Sequence, residues 1–495
     1  MNTKNNSSEA KIAKRNLWCF PFGTIGRDMV YALVANFLLT YIMFTRELNN
    51  AQLAAITAIM VAARIFDALN DPLMGNIIER TRTKWGKFKP WLIAGVLSTT
   101  AVIVFLFNTR LQGWSFIVAF GISYFMFSIT YTMNDISYWG MIPALSRDGD
   151  TRNAITSRAT LFAGIGNGLA SIAIPLFTTG TLAFGGNAQS GYGFCSILIG
   201  ILAPVFLLIT ILGVKENRAD MATKPEPVSF KKIITTITKN DQLLWISLCF
   251  LIQQIGNNVI IGGIGSTYIY FTFGYNGGLY STFTMVGMSA TALLMIFYPI
   301  ISKKTGRQKL MTILAILSLA GYAAMLVSAL LGSSTIGFWI LTIGYMCASF
   351  GQYGYYLIMM ISILNTVEYN EYKNGHRDEA IIASLRPFIT KISSALMVLI
   401  TTLTYMAFGV TKYTNQISKL ETQAASGNIT DIEKTEAIKA MLSQIDKSQT
   451  LGLLFVMVLI SAVFMIISYI IYRRKYKLDE AEYNRICSEL EKRNG

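Results

Sequence analysis

An arginine and two aspartates stand inside AARIFDALNDPLMG, residues 62 to 75, a run otherwise apolar enough to lie in a membrane. At helical spacing Arg64, Asp67 and Asp71 fall at i, i+3 and i+7 and line one stripe of one helix. Asp67 and Asp71 are one turn apart, close enough to share a single cation and mutually repulsive without one. Each ionised group near the bilayer centre costs roughly 2.5–3.5 kcal/mol, so such residues usually face a water-filled cavity and mark an ion or substrate path. A second constellation lies in YTMNDISYWG, where Tyr131, Asp135 and Trp139 follow at i, i+4 and i+8, with Thr132 on the adjoining side. An aromatic plate beside a carboxylate suits a sugar ring, whose C–H face packs on indole while its hydroxyls donate to oxygen acceptors. The alternative for Tyr131 and Trp139 is membership of an interfacial aromatic belt.

Asp28, next to Arg27, is the fourth acid at membrane depth in the first half, and Arg158, Arg386 and Lys391 supply cations. Arg64 and Arg158 read either as salt-bridge partners that make helix packing tolerable or as substrate contacts. Lys391, in a second half facing a first half that carries the acids, suggests a link between halves. Arg386 is five residues earlier, about 140° round a helix, so the two do not point at one ligand.

The elements that must position these residues are membrane spans. The chain has 495 residues, 53% hydrophobic and only 14% charged, and its apolar runs far exceed what a bilayer crossing needs. Spans are expected near 17–44, 51–78, 90–108, 113–143, 154–178 and 193–213, then near 243–273, 279–302, 310–331, 336–366, 380–410 and 450–472. This gives an all-α membrane protein with twelve helices in two six-helix halves. Residues 1–214 form the first half, 215–241 a polar linker, 242–472 the second half and 473–495 a tail. RTKWGKFK in the first half and KKTGRQK at 303–309 occupy equivalent places, a weak internal repeat of the sort secondary transporters use.

The net charge of +15 is not a nucleic-acid patch, because most Lys and Arg sit in the termini and alternate loops. That pattern puts both termini on the cytoplasmic side of the cell membrane. The exception is 411–449, a long outer loop whose stretch TDIEKTEAIKAMLSQ reads as a capped amphipathic helix, either a passive surface helix or a lid over the outer mouth. The tail is expected to be solvated or to lie on the membrane surface. The first apolar segment carries Arg27 and Asp28 and no small-residue cleavage site, so it is expected to be retained. Five cysteines, four of them in apolar segments, give no disulfide framework. His376, the single histidine, lies in a loop, and no nucleophile elbow, phosphate loop or zinc motif occurs, so no enzyme chemistry and no cofactor are expected.

ARIFDALNDPLMG followed by RTKWGKFKPW, then YTMNDISYWGMIP, then EYNEYKNGHRDEAI, resemble the glycoside-pentoside-hexuronide:cation symporters of the major facilitator superfamily, over nearly the whole chain from about Phe22. The resemblance implies the major facilitator fold around a central cavity and a monomeric secondary active symporter. It implies a cation site for Na⁺, or for H⁺ or Li⁺, at Asp67 and Asp71 with Asn70 and Thr132. It further implies a sugar site at Asp28, Asp135, Trp139, Arg158 and Lys391, with Tyr131 nearby. Arg27 stands where the family pattern has lysine and Tyr356 where it has tryptophan, and both are retained as substrate-binding candidates. Asn365 replaces an expected acid, which removes one charge link to the cytoplasmic loops. The partners expected are a small sugar, a monovalent cation and the lipid bilayer, with no nucleic acid. The alternatives are a proton-only or uniport carrier, or, from other classes, a membrane sugar sensor or a membrane-embedded enzyme.

Overall fold

The computed structural model describes residues 2–146, 148–216, 230–261 and 263–494, which form helices joined by turns, without a β-strand among the described residues. Much of the polar linker, 217–229, lies outside the described residues. The chain divides into two compact units, the first comprising Met1–Pro227, Tyr275–Ser281 and Thr411–Met441, the second Val228–Gly274, Thr282–Val410 and Leu442–Gly495. The helices of the leading stretch are α1 (Asn2–Cys19), α2 (Phe22–Thr45), α3 (Asn50–Arg80), α4 (Lys89–Asn108), α5 (Gly113–Gly140), α6 (Ile142–Leu145), α7 (Gly149–Thr178) and α8 (Ala188–Gly213). Then follow α9 (Phe230–Lys239), α10 (Asp241–Ile261), α11 (Gly263–Phe273), α12 (Gly277–Thr305), α13 (Arg307–Ser328), α14 (Thr335–Leu364), α15 (Thr366–Asn374), α16 (Glu379–Ala407), α17 (Val410–Ala425), α18 (Asp431–Leu442), α19 (Lys447–Lys475) and α20 (Glu480–Asn494).

Among the described residues ten helices are long and apolar enough to cross a membrane, and the bent α3 makes eleven, against the twelve expected. The remaining expectation, 279–302, falls on the 29-residue α12. Three of the spans start where a polar cap closes the first turn. Asn49 and Gln52 form a reciprocal capping box at α3, Asp148 Oδ2 accepts from Thr151 N at 2.8 Å at α7, and Asn187 Oδ1 accepts from Ser190 N at 2.8 Å at α8.

In the first unit α2 packs on both α7 and α8 while α5 packs on α3 and α4. Gly26 permits the α2–α8 approach, since a Cβ there would stand 2.5 Å from the Ala203 Cα.

Each unit fastens its basic loop in the same way. In the first, Lys87 N donates to Glu216 Oε2 at 3.2 Å beside Gly86, whose φ of +108° lies in the left-handed region. In the second, Arg307 N donates to Glu480 Oε1 at 2.9 Å beside Gly306, with φ +72°. A glutamate just after the last span of each unit thus takes the amide that follows a left-handed glycine, a structural form of the weak sequence repeat. The Lys89 ammonium completes the first loop, donating to Ile211 O at 2.8 Å and Val214 O at 2.7 Å, the carbonyl end of α8. Asn365 cannot make the ion pair of an acid, but it keeps a link to the basic loop through charge-assisted hydrogen bonds from Arg307. With its amide oriented to satisfy its neighbours, its oxygen accepts from Arg307 Nη1 at 2.8 Å and Nη2 at 3.2 Å.

The tail is not a solvated appendage. Ile486 and Leu490, one turn apart on α20, are buried in the core of the second unit with Leu243, Phe250, Tyr355 and Ile382. The Arg493 guanidinium lies 4.8 Å from the Tyr372 ring centre and that of Arg485 5.8 Å from it. The amphipathic pattern expected at a membrane surface has found α15 instead, and the burial of that apolar stripe is what holds it there.

Candidate functional site

The site residues of the first unit come from three helices. On α3, Pro72 has no N–H for the carbonyl of residue 68, and the helix bends by 41° between Asn50–Asp67 and Leu69–Arg80. The bend therefore falls between Asp67 and Asp71. Ser128 and Thr132, one turn apart on α5, meet these acids. Ser128 Oγ donates to Asp67 Oδ1, and Thr132 Oγ1 donates to Asp71 Oδ1 at 3.3 Å. Arg64 Nη1 lies 3.5 Å from Asp67 Oδ2, and its guanidinium also lies 6.0 Å from the Tyr124 ring centre. Asn70 Nδ2 is buried with no hydrogen-bond partner. Two carboxylates of α3 and two hydroxyls of α5 thus meet, an oxygen-rich pairing of the kind that suits a hard monovalent cation.

The second cluster is centred on Arg27 of α2. Its Nε and Nη2 donate to Asp28 Oδ2 at 3.0 and 2.6 Å, while Nη1 lies 3.1 Å from Asp135 Oδ1 of α5 as an ion pair without hydrogen-bond alignment. The same guanidinium stands 4.8 Å from the Trp139 ring centre and 5.3 Å from that of Tyr138. Tyr131 packs against Tyr31 at 5.8 Å between centroids and stacks on Phe127 at 5.4 Å. Asp135 remains 39% exposed, so one carboxylate of the cluster still has faces open to a ligand. Helix α5 thus presents Ser128 and Thr132 to the α3 acids and Tyr131, Asp135 and Trp139 to the Arg27 cluster, two sites on one rigid element.

Of the expected residues, Asp28, Arg27, Tyr131, Asp135 and Trp139 come together in this way, and Asp67, Asp71 and Thr132 form the other group. Arg158 stands apart from both. Its guanidinium stacks on Trp18 of α1 at 4.3 Å, and it lies level with Thr24, whose Oγ1 donates to Ala159 O at 3.0 Å, about one turn before Arg27. Tyr356 and Lys391 belong to the second unit. There the Tyr356 hydroxyl accepts from Arg386 Nη2 at 2.7 Å and its ring packs on Phe250 at 5.7 Å. Lys391 lies on α16 a turn and a half beyond Arg386. Sequence reasoning missed Ser128, Tyr31 and Tyr138. Ser128 precedes Thr132 by four residues and Tyr31 follows Arg27 by four, so helical spacing from residues already chosen would have found both.

Comparison with known proteins decides the family. Residues 19–480 match the family described as MFS/sugar transport protein. The chain belongs to that family. Within it, the relatives are glycoside-pentoside-hexuronide:cation symporters, as the four motifs implied. The lactose permease of Leuconostoc lactis is 30% identical over 79% of this chain and 62% of its own length. The raffinose carrier protein of Pediococcus pentosaceus is 29% identical over 76% and 60%, and a glucuronide carrier protein homolog of Escherichia coli (strain K12) is 24% identical over 78% and 82%. The chain thus spans only about three fifths of the lactose permease and the raffinose carrier. Among solved structures, a bacterial homolog of the lysosomal transporter Spinster superposes with TM-score 0.60 at 14% identity over 94% of this chain and 96% of that one. A D-xylose-proton symporter gives 0.58 at 12% over 89% and 99%. The fold is that of the major facilitator superfamily, with the many long apolar helices of a multi-pass membrane protein.

Proposed function

We propose that this protein is a secondary active symporter that takes up a neutral glycoside with Na⁺, or with Li⁺ or H⁺, by alternating access, as a monomer with both termini in the cytoplasm. The observation that carries the reading is the shared helix α5, whose Thr132 bonds Asp71 while Asp135, less than one turn on, pairs with Arg27. A cation between Asp67 and Asp71 neutralises part of their charge and fixes the Thr132 face of α5, which holds Asp135 and Trp139 for the sugar. By linkage the sugar raises cation affinity by the same factor. Empty and doubly loaded forms interconvert between inward and outward states and singly loaded forms do not, which couples the two fluxes.

The neutral substrate follows from the Arg27 cluster. Its one guanidinium already faces two carboxylates, so it has little attraction left for a uronate. The names of the lactose and raffinose relatives point the same way. Asp28, Arg27, Tyr131, Asp135 and Trp139 of the first unit bind the sugar in this reading, and Arg158, Tyr356 and Lys391 are further candidates for sugar contacts. Asp67, Asp71, Asn70 and Thr132 bind the cation.

Thermal melting of the purified protein with lactose, raffinose and glucuronides, each with and without Na⁺, tests the reading. A neutral sugar is expected to raise the melting temperature more with Na⁺ than without. Stabilisation by glucuronides alone would overturn the neutral assignment. Stabilisation indifferent to Na⁺ and Li⁺ would leave protons as the coupling ion.

A further inference from the structure

A small internal space of about 10 Å³ lies against Arg27, within the first unit, among α2, α4, α5 and α8. Val30, Val96 and Leu207 give it apolar walls, and Arg27, Thr99 and Asn134 give it polar ones. All six are buried. Two polar atoms of these residues have no hydrogen-bond partner, Arg27 Nη1 and Asn134 Oδ1.

Each of the two is held in place. Asn134 Nδ2 donates to Leu92 O at 3.2 Å, so turning the amide over would lose that bond and set two carbonyl oxygens face to face. Asn134 cannot back away either, because α4 meets α5 at Gly95, where a Cβ would stand only 2.8 Å from Asn134 N. Arg27 commits Nε and Nη2 to Asp28, which fixes the plane of the guanidinium. Its Nη1 lies 3.1 Å from Asp135 Oδ1 without pointing a hydrogen along that line.

A buried acceptor left unpaired loses its hydration without replacement, so an apolar residue would serve better at position 134 if nothing were bound there. Water is the ligand that this lining fits. Internal spaces that stay empty are apolar, whereas a polar one with two to four partners and room for one water centre is filled. A water accepts from Arg27 Nη1 and donates to Asn134 Oδ1. Thr99 offers a third partner, since its Oγ1 donates to Thr130 Oγ1 at 3.0 Å and keeps acceptor capacity.

We propose that this space holds one ordered water bridging Arg27 and Asn134, and that Asn134 is thereby a positioning residue for the Arg27 guanidinium. The water takes an Nη1 hydrogen that Asp135 does not. Arg27 is thus held by Asp28 and the water together, and Asp135 keeps lone pairs for a sugar hydroxyl. The inference rests on the proposed sugar-binding role of the Arg27 cluster and adds to it a residue from outside the cluster.

The water is tested on the full chain without sugar. A crystal structure or cryo-EM map at a resolution that shows ordered solvent is expected to place density within hydrogen-bond distance of both Arg27 Nη1 and Asn134 Oδ1. A dry space, or a direct hydrogen bond between Arg27 and Asn134, would overturn the proposal.

Sugar affinity of the purified protein tests the positioning role. Asn134→Leu keeps the size of the side chain but removes its polar end, and is expected to weaken lactose binding by roughly 2- to 12-fold. Added to Arg27→Lys, whose ammonium has no fork to align, the same change should alter affinity by less than about twofold. Equal losses in the two backgrounds would show that Asn134 acts independently of Arg27 and would overturn the role. Asn134→Ser leaves room for a second water in place of the amide and should keep lactose affinity within about twofold of the wild type. A loss as large as that of Asn134→Leu would count against the water. If the wild-type protein bound no lactose, the sugar reading would fall, while the solvent density would still decide the water site.

Discussion

Arg27 faces two carboxylates from two helices, and no single substitution in its cluster should cost more than its loss. Arg27→Ala leaves Asp28 and Asp135 facing each other without their cation, and breaking a buried pair by removing one partner costs about 3–5 kcal/mol, less here because Asp135 is partly exposed. The expected result is a clear drop in melting temperature together with loss of sugar binding. Arg27→Lys keeps the charge but not the fork, and should keep the fold while weakening sugar affinity. Thr132→Ala is the milder change. Its 3.3 Å bond to Asp71 is worth about 0.5–1.5 kcal/mol, so the Na⁺ concentration for half-maximal stimulation of sugar binding should rise by roughly 2- to 12-fold. Sugar affinity at saturating Na⁺ should stay unchanged, and titration of sugar binding against Na⁺ checks both. The acids were legible in the sequence because charge in an apolar run is conspicuous. Ser128 was not, because a serine in a span carries no such cost and becomes significant only once the facing Asp67 is placed.

The bend of α3 belongs to the scale of the element. Pro72 has no N–H for the helical bond four residues back, and α3 bends between the two acids. Pro72→Ala restores that bond and should straighten the helix, giving a protein that melts no lower than the wild type but gains no stability from added Na⁺. A Na⁺-dependent melting shift equal to that of the wild type would show that the bend has no part in the cation site. Gly26 sets the α2–α8 contact in a similar way. Gly26→Leu has no room beside Ala203 and should cost about 1–3 kcal/mol, read as a lower melting temperature with reduced uptake. The spans were legible from hydropathy, and the internal repeat was legible in its glycines. What α18 and α20 pack against was not. Both are short amphipathic helices, and periodicity gives an apolar face without naming the surface that covers it, α15 for one and the first unit for the other.

For the whole molecule, the major facilitator architecture and the family could be read from four motifs, and the comparisons bear them out. The joining of Thr411–Met441 to the first unit could not, because chain order places it between spans of the second. The account requires that occupation of the α3 acids and of the sugar cluster be coupled through α5 and spent as accumulation against a gradient. Purified protein in liposomes, given labelled lactose and an inward Na⁺ gradient, tests this most directly when wild type and Asp71→Cys are compared side by side. The account predicts that the wild type concentrates the sugar above its external level, and that Asp71→Cys only equilibrates it or does not move it. Accumulation by Asp71→Cys equal to that of the wild type would contradict it.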